Sequence, residues 1–239
     1  MILLLAALAA YLLGSIPFSF LIGKLGYGID IREHGSGNVG ATNLGRACGV
    51  RAGVLGLLFD AAKGAAAVLA AGSISGALAR GDRLVLLGLG CCAMIGHMAP
   101  IFLAGNGGGK GVATGAGVFL AIDPRALGLA LCVFVVTVLV SRYVSLGSCV
   151  AAVALPILLL ARDRQPADPV FLLSILVALA IVYKHRANLA RIRAGTESKL
   201  PLGKRRGPPA TDVDVGSGSG PAGGAGPGTS PGQGPRQGT

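Results

Sequence analysis

Seven apolar runs divide the chain, over about 2–23, 53–72, 84–103, 111–122, 126–140, 146–161 and 170–183. A helix that crosses a bilayer takes about 20 apolar residues. Several of the runs are shorter, so flanking residues complete them or they form broken or tilted helices. Glycine recurs inside them, at Gly53, Gly56, Gly64, Gly88, Gly90, Gly96, Gly115 and Gly117. Small residues let membrane helices approach closely, because lipid supplies no hydrophobic drive between them. No run alternates in the two-residue rhythm of a barrel strand, and no internal repeat is evident. The pattern predicts an all-α fold, a polytopic membrane helix bundle of about seven transmembrane helices. That domain would occupy 1–203. The remainder, 204–239, is basic and then rich in glycine and proline, with 11 Gly and 6 Pro from Gly207 to Thr239. It buries too little to offset its ordering entropy and is expected to be a disordered tail.

Composition agrees with the pattern. Of 239 residues, 52% are hydrophobic and 13% charged, where a soluble domain carries about 25% charge. Mean hydropathy is +0.70. A soluble enzyme, a disordered protein and a nucleic-acid-binding module are all disfavoured. The formal net charge of +11 would ordinarily raise nucleic acid as a partner, but the placement of the cations argues otherwise. With seven spans and the N-terminus outside, the inner segments hold 15 of the 21 Lys and Arg, the outer segments 5, and Lys63 lies within a span. By the positive-inside rule this predicts N-terminus out and C-terminus in. The first run lacks a basic stretch before its apolar core and reads as a retained span, not a cleaved signal. Membrane lipids, and no nucleic acid, are the expected surroundings. The five cysteines show neither a disulfide framework nor a zinc pattern and act as small hydrophobes. No metal is expected.

Under this topology the polar, glycine-rich motifs fall on the inner face. The first contains Gly35-Ser36-Gly37-Asn38-Val39-Gly40, then Thr42, Asn43 and Arg46. Its letters fit GxGxxG, but a membrane span precedes it and no βαβ unit surrounds it, so a dinucleotide site is rejected. Its glycines still permit a backbone anion nest, and Arg46 offers a planar fork suited to phosphate. The second motif, Gly108-Gly109-Lys110-Gly111-Val112-Ala113-Thr114, resembles a Walker A loop and fails it, because Ala104 and Gly111 occupy required Gly and Ser/Thr positions. Glycines with one lysine beside a membrane helix nevertheless suit a phosphoryl group. The third motif comes after the last run. At about 3.6 residues per turn, His185, Asn188, Leu189 and Ile192 share a face, with Arg186 and Arg193 opposite. Lipid binding accounts for the arginines, but not for an inward His and Asn. Ser145 and Ser148 add hydroxyls on the same side. Asp60 and Lys63, three residues apart within a span, read as a structural pair, and His97 as a structural histidine.

Taken together, GSGNVGATN with Arg46, GGKGVAT over 108–114, and the H-x-x-N…G-x-E pattern from His185 to Glu197 resemble three signature motifs. They are those of the bacterial acyl-phosphate:glycerol-3-phosphate acyltransferase family (PlsY). The resemblance spans roughly 1–202 and departs from the family just before GGKG. There the family has an aromatic and a basic residue, and this chain has Asn106-Gly107.

The resemblance implies an enzyme of the bacterial inner membrane with its site facing the cytosol. Its reaction would move an acyl group from acyl phosphate to the 1-hydroxyl of glycerol 3-phosphate, giving lysophosphatidate and phosphate without a cofactor. It also implies a functional link to an enzyme that forms acyl phosphate, and a monomer is expected. Ser36, Asn38, Thr42, Asn43 and Arg46 would serve the substrate phosphate, with Ser145 and Ser148 as weaker candidates. Gly108, Gly109, Gly111 and Lys110 would hold the acyl-phosphate head. His185 and Asn188 would position the accepting hydroxyl, and Glu197 would hold the site together. The H-x4-D chemistry of other glycerolipid acyltransferases is excluded, because Val39, Phe102 and Ala190 stand five residues after the three histidines. The alternative is a small multipass transporter of an anionic solute, which would call for repeat symmetry and polar residues at the bilayer midplane.

Overall fold

The computed structural model describes residues 1–104, 107–161 and 168–200, all within a unit that runs Met1–Leu202. The tail expected over 204–239 lies outside the described residues, as do Asn106 and the cations Arg162 and Arg164, expected on the outer side. All regular structure among the described residues is helical. Helix α1 (Ile2–Ser15) breaks at Ile16-Pro17 and resumes as α2 (Phe18–Leu21) and a π-helical turn through Gly26. Helix α3 (Ala41–Cys48) turns at Gly49 into α4 (Val50–Ile74). A single turn, α5 (Ala77–Arg80), leads to α6 (Arg83–Met98). Next come α7 (Val112–Ile122), α8 (Pro124–Ser141), α9 (Val144–Leu160) and α10 (Pro169–Lys184). Helix α11 (Arg186–Arg193) leaves α10 at 54°.

Each apolar run of the sequence becomes a helix, but length separates them. Among the described residues, four segments are long and apolar enough to cross a bilayer: Ile2–Gly26, Val50–Ile74, Arg83–Leu103 and Pro124–Ser141. Helices α10 and α11 add a fifth if the bent pair is one span, while α7 and α9 are shorter. With 11 residues, α7 is about 16 Å long, roughly half the thickness of a hydrocarbon core. Its buried Thr114, Gly115, Gly117, Val118 and Phe119 face protein, which spares a short helix from lipid. Long apolar side chains elsewhere point outward, as Leu4 at 74% and Val140 at 83% exposure do, which suits a lipid-facing belt.

The helix starts are set by short polar residues. Asp82, Asp123 and Asp168 accept from the backbone N–H of Val85, Ala126 and Val170, capping α6, α8 and α10. Pro124 and Pro169 stand at first helical positions, where no N–H is needed. At the break, the Ile16 carbonyl accepts from the Phe18 N–H at 3.1 Å and from Lys63 Nζ at 2.7 Å. Lys63 also pairs with Asp60 at 2.8 Å, and Ser19 Oγ donates to Asp60 at 3.0 Å. The expected pair therefore forms, and a helix break supplies the lysine with a further acceptor.

Glycine sets how closely the central helices pack. A Cβ on Gly117 would run into the Ala61 carbonyl, and one on Gly64 into that of Thr114, which fixes α4 against α7. Gly14 and Gly96 do the same between α1 and α6, against the carbonyls of Ala93 and Tyr11. Gly117→Val should therefore cost about 1–3 kcal/mol by overpacking and lower the unfolding temperature in detergent. Gly88→Val is the control, since a Cβ at Gly88 meets nothing within 4 Å, and its melting curve should match that of the unmodified protein.

Candidate functional site

Three chain segments build one cleft. The first is the turn-rich stretch before α3. Asn43, in the first turn of α3, is almost fully buried and uses both ends of its amide. Its Nδ2 donates to the carbonyls of Ile31 (2.7 Å) and His34 (3.0 Å). Its Oδ1 accepts from the Ser36 N–H (2.9 Å) and Ser36 Oγ (3.2 Å). Asn43 thus fastens the loop and presents Ser36. Thr42 and Arg46, one helical turn apart, sit at the exposed rim. Ser36, Asn38, Thr42, Asn43 and Arg46 all line the cleft.

The second segment precedes α7. Asn38 Nδ2 donates to the Gly108 carbonyl at 3.0 Å, which ties the two loops together. The Gly109 N–H donates to the His97 carbonyl at 3.0 Å. Side chains at Gly108 and Gly109 would collide with the Met98 carbonyl and the His97 ring. These two glycines pack against the end of α6 and do not line the cleft, whereas Lys110 and Gly111 do. Gly107 and Gly111 hold φ of +73° and +81°, a conformation that favours glycine. That requirement at Gly107 bears on the departure from the family before GGKG, since a bulky basic or aromatic residue would be strained there.

The third segment is the α10–α11 bend together with the extended stretch beyond α11. His185 and Asn188 are buried, as their shared face predicts, with Leu189 and Ile192 half-buried beside them. Glu197 organises this region. Its carboxylate accepts from Asn188 Nδ2 (2.7 Å), Arg191 Nε (2.8 Å) and Ser145 Oγ (3.1 Å), and Arg46 lies 3.7 Å away. Asn188 Oδ1 accepts from Lys110 Nζ. The stretch carrying Glu197 is held by Arg142, whose backbone ends α8 at φ +64°. The Arg142 carbonyl accepts from the Leu200 N–H (2.7 Å), and Arg142 Nε donates to the Leu200 carbonyl (3.2 Å). Ser145 and Ser148 line the cleft from α9, Ser148 donating to the Val144 carbonyl at 2.9 Å.

The His185 Nδ1 lies 2.8 Å from the Ile181 carbonyl. A carbonyl can only accept, so Nδ1 carries the proton and Nε2 of the neutral ring keeps its lone pair. Two further polar side chains reach the cleft, Asp60 and His97. By sequence both read as structural. Polarity inside apolar runs is their signal, but nothing in the sequence says that positions 60 and 97 meet on neighbouring helices. Among the described residues, no three His, Cys, Asp or Glu side chains gather in a way that could hold a metal.

An apolar slot adjoins the polar cleft. It lies between α7, α8, α9 and α10, lined by Gly115, Ala116, Phe119, Leu131, Ala152 and Leu155 among others. It shares Val112, Phe134 and Ser148 with the cleft. A cationic cleft and an apolar slot therefore lie side by side and share these walls.

Comparison with known proteins is specific. A family model described as glycerol-3-phosphate acyltransferase matches residues 4–195. The chain is 46% identical over 191 residues to a glycerol-3-phosphate acyltransferase of Trichlorobacter lovleyi, covering 80% of this chain and 94% of that relative. A glycerol-3-phosphate acyltransferase of Desulforamulus reducens is 45% identical over 193 residues, covering 81% and 92%. A crystal structure of PlsY, an integral membrane glycerol 3-phosphate acyltransferase in its glycerol 3-phosphate form, superposes with a TM-score of 0.75. It is 39% identical and covers 83% of this chain and 96% of its own. A second, lysophosphatidic acid form gives a TM-score of 0.73 at 38% identity.

The electrostatics of the cleft are testable directly. Burial pushes the Lys110 ammonium down to about 8; Glu197 opposes this, while Arg191 and Arg46 add to it. Burial alone would raise the Glu197 carboxyl. Hydrogen bonds from Asn188, Arg191 and Ser145 outweigh it and hold the group below the ordinary carboxylate range. As pH rises through about 8, Lys110 loses its charge first. Affinity for inorganic phosphate, measured by calorimetry, should weaken across that window. Lys110→Arg should keep the affinity to higher pH, because a guanidinium does not titrate there.

Proposed function

We propose, on the premise that the chain belongs to the glycerol-3-phosphate acyltransferase family, that its cleft moves an acyl group from acyl phosphate to the 1-hydroxyl of glycerol 3-phosphate. At the coarser level it is a membrane acyltransferase of phospholipid synthesis. One observation carries the finer reading: Arg46, Lys110, His185 and Asn188 meet at the mouth of an apolar slot. That arrangement suits a substrate with a phosphate head and a fatty tail, beside a second, small phosphate ester.

In this reading Arg46 binds the glycerol 3-phosphate phosphate, Ser36 and Ser145 turn their hydroxyl protons to it from Asn43 and Glu197, and Asn38, Thr42 and Ser148 complete its polar surroundings. Lys110 and the free N–H groups at the start of α7 neutralise the acyl-phosphate head. The acyl chain lies in the slot. The acceptor hydroxyl sits against His185 Nε2 and the second lone pair of Asn188 Oδ1. Its oxygen attacks the acyl carbon, the bond from that carbon to the phosphate oxygen breaks, and phosphate leaves with the electron pair. The hydroxyl proton passes to His185 Nε2. His185 leans on a backbone carbonyl and not on a carboxylate. That fits a donor already activated as a mixed anhydride, for which positioning and charge supply most of the rate.

The same reading places the protein in the bacterial inner membrane as a monomer with seven spans. The N-terminus is outside, and the C-terminus and cleft face the cytosol. The short α7 and α9 count as two of the seven. The tail from 204 onward takes no part in catalysis, and an acyl-phosphate-forming enzyme supplies the donor.

Purified protein given acyl phosphate and labelled glycerol 3-phosphate should release lysophosphatidate and phosphate in equal amounts. Acyl-CoA in place of acyl phosphate should give no product. Lys110→Ala and His185→Ala should each lower kcat/KM by about 100-fold or more, the scale at which one charge-stabilising or proton-accepting group acts. Truncation after Arg206 should leave turnover unchanged. Folded protein that makes no product from acyl phosphate would rule the reading out.

A further inference from the structure

The C-terminal end of α6 holds two of the three segments that build the cleft. Three carbonyls at this helix end lack partners within the helix, and each finds one elsewhere. The His97 carbonyl takes the Gly109 N–H (3.0 Å), the Met98 carbonyl takes Lys184 Nζ (3.1 Å), and the Ala99 carbonyl takes Tyr11 OH (3.0 Å). Lys184 directly precedes His185, and Gly109 directly precedes Lys110. The two residues with the most direct chemical roles are thus each one position from an anchor on α6.

The His97 side chain is buried at the same place. Its ring fills the space beneath Gly109, where any Cβ would overlap it. Its Nδ1 faces Asp60 at 3.6 Å. Asp60 is itself fixed by Lys63 and Ser19, and Lys63 by the Ile16 carbonyl. A buried polar stack therefore runs from the α1–α2 break, through Asp60 and His97, to the backbone that carries Lys110. Lys63 is nearly inaccessible and serves Asp60 as a counter-charge, so the stack is anchored in the interior, while its Asp60 and His97 also edge the cleft.

We propose that His97, seated on Asp60, is a positioning residue for Lys110. It sets the height of the Gly109–Lys110 backbone and so the reach of Nζ to Asn188 and to the acyl-phosphate head. The inference rests on the proposed role of Lys110. A shift of about 1 Å in a catalytic group costs on the order of 100-fold in rate, and an emptied ring site beneath a glycine loop permits a shift of that size.

The test is a cycle of four proteins, unmodified, His97→Ala, Lys110→Ala and the double variant, with kcat and KM measured for each. His97→Ala should lower kcat/KM by about 100-fold through kcat. The double variant should be no more than about 3-fold worse than Lys110→Ala, since residues that act as one unit are not additive. His97→Gln refills the space beneath Gly109 and should recover most of the activity. His97→Asn keeps an N–H toward Asp60 with less bulk, and carries the same cycle if the alanine variant does not fold. Losses that multiply in the double variant, full activity in His97→Ala, or no recovery with His97→Gln would each overturn the inference while leaving the Lys110 assignment standing. Full activity in Lys110→Ala would overturn the assignment and the inference together.

Discussion

The site depends on one buried carboxylate. Glu197 receives a guanidinium and an amide from α11 and a hydroxyl from α9, with Arg46 of α3 within reach. Without that negative charge, Arg46, Lys110 and Arg191 would face one another across a half-buried space, and their repulsion would splay the segments that carry them. With it, Asn188 becomes a bridge. One end of its amide is held by Glu197, and the other takes Lys110. A buried carboxylate is costly unless its oxygens are saturated, and here three hydrogen bonds and a nearby guanidinium meet that condition. The remaining excess of positive charge faces the opening, where phosphate-bearing ligands supply the balance.

The membrane divides the work. Glycines 64 and 117 let α4 and α7 pack backbone to backbone, which shelters the short α7 inside the bundle and brings its start to the cleft. The apolar slot between α7 and α10 continues from there. Under the proposed function, a ligand with a charged head and an apolar chain meets two adjoining environments, and α7, which lines both, sets the register between them. In that reading, backbone geometry governs which bond of the ligand lies beside His185.

Much of this is legible in the sequence, because membrane helices and phosphate-binding loops obey simple rules. Apolar runs mark the helices, and the Asp60–Lys63 pair is implied by spacing alone. The inward face of His185 and Asn188 is implied by helical period. Length is harder: hydropathy marks a run as apolar but cannot say whether lipid or protein covers it, and α7 is wrapped by protein. The roles within a motif are harder still. Gly108 and Gly109 sit in the same string as Lys110, yet they pack against α6 while Lys110 enters the cleft. Asp60 and His97 read as separate structural residues in the sequence, since their meeting depends on how α4 and α6 cross. Asn43 looks like a phosphate ligand and instead spends its whole amide on closing its own loop.

The central claim is that Glu197 assembles the cleft through Asn188. Steady-state kinetics of Glu197→Ala, alone and combined with Asn188→Ala, test it most directly. The predicted result is a loss of about 100-fold in kcat/KM for Glu197→Ala and little further loss in the double variant, since the two act as one unit. A folded Glu197→Ala protein with the activity of the unmodified enzyme would contradict it.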